Sequence, residues 1–375
     1  MLLCVRMKHY LFISLIVITL AYANDPVMES DGGENSEPRA VVIATKFDSL
    51  FSVLAEKKGF NGNVLVGIYG NVVYKNAFGY SDLKTKELLN VKSVFQIASV
   101  TKQFTAVAVM MLREQGKIDY SDTVQKFIPD FPYKNITIRQ LLSHRSGLPN
   151  YMYFSGKYWK NKREYLTNEK LLEIMKKYKP YPEFTPDRRY KYSNTGYAIL
   201  ALIVERVSGL LYDEFLEQNI FLPLGMTSTF VYNPKNKKTI DYETSGYTKR
   251  KRKTSPDFLD GVTGDKGIYS TVEDLFTWDQ ALYTEKLVKQ STLEEAFTPS
   301  SYDFKRDNNY GFGWRIDTLA DGSKVVYHGG WWRGYNSLFL RRLDDHTTII
   351  ILCNKVNWSW GEKEDLMALI DSANF

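Results

Sequence analysis

Ser99-Val-Thr-Lys102 is the spacing in this chain that can do chemistry. On a helix, residues i and i+3 share a face, so the Lys102 amine lies beside the Ser99 hydroxyl. An unaided serine is a poor nucleophile at neutral pH, and a desolvated lysine of lowered pKa can take its proton. The free N–H groups and dipole at a helix start also favour negative charge developing there. Ser81 and Lys84 repeat the spacing just past a hairpin pattern, with no helical pattern behind them, and read as a surface pair.

Tyr192-Ser-Asn194 is a second element. A tyrosine whose pKa is lowered by neighbouring cations can act as base toward a serine and as acid toward a leaving group. The asparagine can orient a substrate amide and touch the lysine. His328-Gly329-Gly330 is a third, at the end of a short β-run whose glycines let a substrate approach the backbone. The next N–H, of Trp331, can pair with that of Ser99 as an oxyanion hole. The four histidines, at 9, 144, 328 and 346, do not cluster as metal ligands.

The elements around these residues follow from periodicity. Phe104, Val107, Ala108, Met111 and Leu112 form the stripe of a helix buried on one side, stopping at Gly116. Residues 45–58 read as a helix, and 63–69 with 72–78 as a hairpin turning at Gly70-Asn71. Helical patterns dominate from 119 to 253, with a strongly apolar helix over 197–207 closed by Gly209. A capping box at Ser270-Thr-Val-Glu273 opens another. Strand signals return at 324–327, 336–342 and 347–353, before a last helix over 362–372. Strands at both ends with helices between them predict an α+β domain, its antiparallel sheet built from both termini and carrying a helical insertion.

The chain has 375 residues, of which 44% are hydrophobic and 25% charged, as in ordinary globular proteins. Residues 1–23 read as a secretory signal peptide, with a basic start at Arg6 and Lys8, an apolar core over 11–20 and Ala21-Tyr-Ala23 at the cleavage site. That core is too short to span a bilayer. Net charge is +6, and loss of Arg6 and Lys8 with the leader leaves +4, an excess too mild to point to nucleic acid. Only Cys353 then remains, so no internal disulfide forms, and an exported protein, periplasmic or secreted, is expected. Residues 24–40 begin acidic and small and read as a flexible linker, and Lys249-Arg-Lys-Arg-Lys253 as an exposed loop, with contact to an anionic envelope polymer as the alternative.

Ser99-x-x-Lys102, Tyr192-x-Asn194 and His328-Gly-Gly330, in that order, resemble the serine β-lactamase and penicillin-binding protein superfamily, most closely its class C-like branch. Supporting segments are Leu141-Leu-Ser-His-Arg-Ser-Gly-Leu148, Pro223-Leu-Gly-Met226, Gly267-Ile-Tyr-Ser-Thr-Val-Glu-Asp274 and Tyr310-Gly-Phe-Gly-Trp314. The resemblance implies a β-lactamase/transpeptidase-like fold over 41–375, with an α/β part at about 41–118 and 260–375 and a helical part at about 119–259. It implies an acyl-enzyme on Ser99, with Lys102 and Tyr192 sharing the base role and no metal or organic cofactor. Asn194, His328, Gly329, Gly330 and Trp331 would bind a small-molecule or peptide substrate, one derived from the cell wall among them. His144 belongs to its motif as a structural residue. Efficient β-lactamases of this family carry Lys-Thr-Gly where this chain has His328-Gly-Gly330, which favours an esterase or D-peptide hydrolase over a β-lactamase. A weak β-lactamase, or a non-catalytic module binding envelope peptide or glycan, is the alternative. Pro186-Asp187 departs from the family's Pro-Gly and alters the cleft rim.

Overall fold

A computed structural model describes residues 36–233, 241–300, 309–319, 322–356 and 363–372. The predicted signal peptide and residues 24–35 of the predicted linker lie outside them.

Six strands form the main sheet: β1 (Gly62–Ile68), β2 (Asn71–Phe78), β3 (Arg315–Thr318), β4 (Lys324–Trp332), β5 (Tyr335–Arg342) and β6 (Thr347–Cys353). Their order is β2-β1-β6-β5-β4-β3, and every neighbouring pair is antiparallel. β1 pairs directly with β6, so the two ends of the chain meet in mid-sheet, as the strand signals predict. The β1–β2 turn falls one residue earlier than expected, on Tyr69 and Gly70, both at positive φ. Two such residues match the twist of the flanking strands.

Each strand of the pair β5–β6 is buried along its whole length, because both faces of the sheet are covered. Period-two alternation divides the side chains. Val64, Val66, Leu338, Leu340, Ile349 and Ile351 point to α1 (Ser36–Val53), with Phe47 and Phe51, and to α6 (Lys363–Asp371), with Leu366 and Ile370. Leu65, Phe339, Ile350 and Leu352 face a second core, shared by α2 (Thr101–Glu114), α4 (Asn194–Ser208) and α5 (Val272–Ala281). Between α2 and α4 lies α3 (Tyr151–Tyr158).

Three local expectations differ. α1 begins at Ser36, taking in the last residues of the expected linker. The cap of α5 is Thr271, whose hydroxyl accepts from Asp274 N at 3.1 Å, one residue beyond the expected Ser270. α2 is buried on nearly every side, not on one stripe. Lys102, Gln103 and Thr105 are as enclosed as Phe104 and Val107, since α4, α5 and Tyr212 close over this part of α2, and only its last turn reaches solvent. The polar residues of such a helix need internal partners.

Candidate active site

Ser99 sits in a single 3₁₀ turn, Ala98–Val100, that runs straight into α2. Three contacts fix this turn. Phe95 and Gln96 pair with Ser270 and Tyr269, and Ile97 N donates to Ile268 O at 3.0 Å. From the other side, Ser337 Oγ on β5 donates to Ile97 O at 2.7 Å. β4 then closes over the turn at Gly330, where a Cβ would lie 2.4 Å from Ile97 O and 2.3 Å from Ser337 Oγ. Only glycine fits there. Ala98, the residue before the serine, holds the left-handed conformation at φ +48°, a strain of roughly 1 kcal/mol or more for a residue with a Cβ.

Lys102 is fully enclosed. Its Nζ lies 3.2 Å from Ser99 Oγ, 2.9 Å from Asn194 Oδ1 and 2.7 Å from the Asp265 carbonyl oxygen. Loss of hydration is the largest influence on this amine and lowers its pKa to about 7. The Asp265 carboxylate opposes that shift, while Lys266 and Arg315 add to it. Asn194 starts α4, and its Nδ2 donates to Met152 Sδ on α3 at 3.2 Å.

Tyr192 completes the group. The Lys102 ammonium position lies 4.9 Å from its ring centroid, and its hydroxyl is hydrogen-bonded with Ser99. Its pKa is not lowered, as cationic neighbours would make it, but raised: burial outweighs the Ser99 hydrogen bond and the Arg315 charge. The phenol therefore keeps its proton at neutral pH. His144 packs against that ring at 4.2 Å, and its Nδ1 accepts from Ser193 N at 3.3 Å, which fixes the approach to Tyr192.

Gly329, Gly330 and Trp331 reach the serine turn through β4, and Trp331 is 56% exposed beside it. His328 is brought to the site but not to its open surface. Its Nδ1 donates to Gly329 O at 2.7 Å, and the pairing that remains has Nε2 accept from Tyr310 O–H at 3.0 Å. Burial, then the charges of Arg315 and Lys102, keep the ring neutral. Ser81 and Lys84 are apart from this group: Ser81 Oγ donates to Glu87 O at 3.3 Å in a short strand pairing.

Sequence reasoning missed several neighbours. Asp265, wholly buried, accepts from Tyr151 O–H at 3.0 Å, and Lys266 Nζ donates to that same hydroxyl at 2.7 Å. An acid and a base side by side between Gly264 and Gly267 were the available signal. Arg315 on β3 lies 5.8 Å from the Tyr192 ring and carried no motif. Among the described residues, no three His, Cys, Asp or Glu side chains converge to hold a metal.

A buried lysine bonded to serine, asparagine and a carbonyl, with a protonated tyrosine alongside, is equipped for acyl transfer. Residues 47–373 match the Beta-lactamase family model. The chain belongs to the Beta-lactamase family. It is a serine hydrolase of the β-lactamase fold, related to the penicillin-binding proteins. It is 37% identical over 320 residues to penicillin-binding protein 4* of Bacillus subtilis, covering 82% of this chain and 71% of that one. The octameric penicillin-binding protein homologue from Pyrococcus abyssi superposes with a TM-score of 0.74 at 26% identity, covering 86% of this chain and 77% of that chain. D-amino acid amidase from Ochrobactrum anthropi shares the fold, with a TM-score of 0.70 at 22% identity over 88% of this chain and 97% of that one. Among the described residues no helix is long and apolar enough to cross a membrane.

Proposed function

We propose that this Beta-lactamase family member is an exported hydrolase of the class C-like branch. It cleaves an ester or amide, D-amino-acid peptides among them, through an acyl-enzyme on Ser99. One observation carries the reading. A neutral amine has two N–H donors and one lone pair; Asn194 Oδ1 and the Asp265 carbonyl take the donors, which leaves the lone pair of Lys102 for Ser99 at 3.2 Å. With its pKa lowered to about 7, a substantial fraction of Lys102 is neutral at physiological pH.

Lys102 takes the hydroxyl proton as Ser99 Oγ bonds to the carbonyl carbon. The N–H groups of Ser99 and Trp331 face the oxyanion. Tyr192, which holds its proton, passes it to the departing alcohol or amine as that bond breaks, and is reprotonated from Lys102. Water then attacks the acyl carbon, giving a proton to Lys102, and Ser99 leaves with one restored. His328 serves the site by holding Tyr310 and β4 instead of touching substrate through its ring. Because that histidine is neutral and enclosed, β4 supplies no cation where β-lactamases of this family carry lysine, which supports an ester or amide over a β-lactam. The penicillin-binding protein and D-amino acid amidase relatives support the same substrate range. The leader over 1–23 and the cell-wall association of the relatives, N-acetylmuramyl-L-alanine amidase of Bacillus subtilis included, support export.

The test is release of nitrophenol from a short-chain nitrophenyl ester by the purified protein, wild type beside Ser99→Ala. Turnover should be confined to the wild type, with a loss of at least about a thousandfold in the variant. Equal rates in both would remove Ser99 from the mechanism.

A further inference from the structure

The cation run Lys249-Arg-Lys-Arg-Lys253 takes no part in the chemistry at Ser99, yet it is fixed to the same pair of strands. Tyr247 bridges to Lys253, Thr248 N donates to Arg252 O at 2.9 Å, and Lys251 N donates to Thr248 O at 2.8 Å. This closes a tight hairpin whose base rests on the β4–β5 turn. Thr254 Oγ1 donates to Arg333 O at 2.5 Å. A Cβ on Gly334 would lie 2.4 Å from Tyr247 N, and one on Gly246 would lie 2.3 Å from Arg333 O. That turn follows Trp331, so the hairpin stands on the rim formed by the strand that closes over Ser99.

Among the described residues, four of its five charges have no acidic partner. Lys253 is held by Asp82 at 3.0 Å. Lys249, Arg250, Lys251 and Arg252 are exposed and make no ion pair among the described residues. Burial and the charge of Lys251 together depress the Lys355 amine nearby. Lys251 also holds φ +60°, where glycine or asparagine is less strained. Four like charges crowded on a strained, closed turn work against stability. A glycine at 251 would relieve the strain, and an acid at any of these positions the charge.

We infer that this hairpin is an anion-binding surface that holds a linear polyanion, one with repeated phosphate or carboxylate groups, beside the Ser99 cleft. Four separate cations on a convex turn cannot enclose one small anion, but they can neutralise successive charges along a chain and release its counterions. A lipid surface fits less well, since residues 248–255 carry no apolar side chain to insert between acyl chains. The inference deepens the hydrolase reading, since it places the scissile ester or amide on such a polymer.

The experiment measures binding of the full-length protein to fluorescent polyphosphate and to fluorescent polyglutamate across a salt series. The wild type is compared with the quadruple variant K249Q/R250Q/K251Q/R252Q, and thermal melting verifies that the variant folds. If the variant fails to fold, R250Q/R252Q replaces it. The wild type should bind at least one polymer, the two arms separating phosphate from carboxylate chemistry. The quadruple variant should bind it at least about tenfold more weakly, with the slope of log affinity against log salt shallower by about 3. Equal binding by wild type and folded variant would overturn the inference. So would binding to phosphatidylglycerol vesicles with neither polymer bound. Ester turnover is not the readout, so a failed hydrolase reading and a failed hairpin inference give different results.

Discussion

A lysine that is to take a proton from serine must be neutral yet held in place, and burial alone secures only the first condition. Here the second is met by Asn194 and the Asp265 carbonyl, while burial first, and then the charges just behind them, set the point at which the amine gives up its proton. Lys102 works in its deprotonated form, so kcat/KM should fall about tenfold per pH unit below about 7 and level off above it. The carboxylate of Asp265 favours the charged amine, and the ammonium of Lys266 disfavours it. Asp265→Asn should therefore move the acidic limb to lower pH, and Lys266→Met to higher pH. The other groups facing Lys102, namely Tyr192, Tyr197, His144, His328 and Arg315, are common to both variants. Simple damage to the fold would scale the rate without moving the limb, and shifts of the same sign would defeat the electrostatic account. At this scale Ser99, Lys102, Tyr192 and Asn194 were legible because a strong helical pattern follows each pair and the motifs come in order; the spacing by itself recurs at Ser81 and Lys84. Asp265 and Arg315 were not, since a lone acid or arginine reads as surface until the fold encloses it.

Backbone elements position these groups. The serine turn is clamped between the short strand Ile268–Ser270 and the β4–β5 pair, and the clamp on the β4 side has no side chain at all. Gly330→Ala would drive a methyl group into Ile97 O and Ser337 Oγ, both within 2.4 Å of its Cβ. β4 must then retreat from the turn, carrying the Trp331 N–H with it. A displacement of about 1 Å at an oxyanion hole costs on the order of a hundredfold, so kcat should drop by that factor. Substrate binding should change less, and circular dichroism should remain native. Undiminished kcat in the Gly330→Ala enzyme would mean that β4 does not line the reacting centre. The sequence pattern located β6 at its observed ends and α4 to within a few residues, because strict apolar periodicity marks them. It ended β4 early, at 327, because glycines and a histidine interrupt the β signal where the strand serves the site. It also took α2 for a helix with one solvent face, for enclosure by α4, α5 and Tyr212, all distant in sequence, leaves no trace in local spacing.

At the scale of the molecule, the sheet joins segments nearly 300 residues apart, and among the described residues no disulfide holds it: Cys353 is free and buried, with burial pushing its thiol up. Among the described residues, cohesion between the sheet and the helical side rests on apolar packing and on one enclosed ion pair. Arg341 Nε on β5 donates to Asp279 Oδ1 on α5 at 2.6 Å, and Thr348 Oγ1 on β6 donates to Asp279 Oδ2 at 2.6 Å. The Arg341 guanidinium also lies 4.3 Å from the Tyr283 ring centroid, and both charged partners are shut off from solvent. Such a pair adds little beyond what an apolar replacement would give, but removing one member strands the other in a medium of low dielectric. Asp279→Asn should thus destabilise the protein by about 3–5 kcal/mol, seen as a lower denaturant midpoint. Arg341→Met with Asp279→Leu should recover much of that loss, since neither charge is then left unpaired. Because neither Asp279 nor Arg341 is among the charges acting on Lys102, the pH limb of turnover should stay where it is in the folded Asp279→Asn protein. A shift of that limb would show that the α5 lock and the Lys102 site are electrostatically one unit.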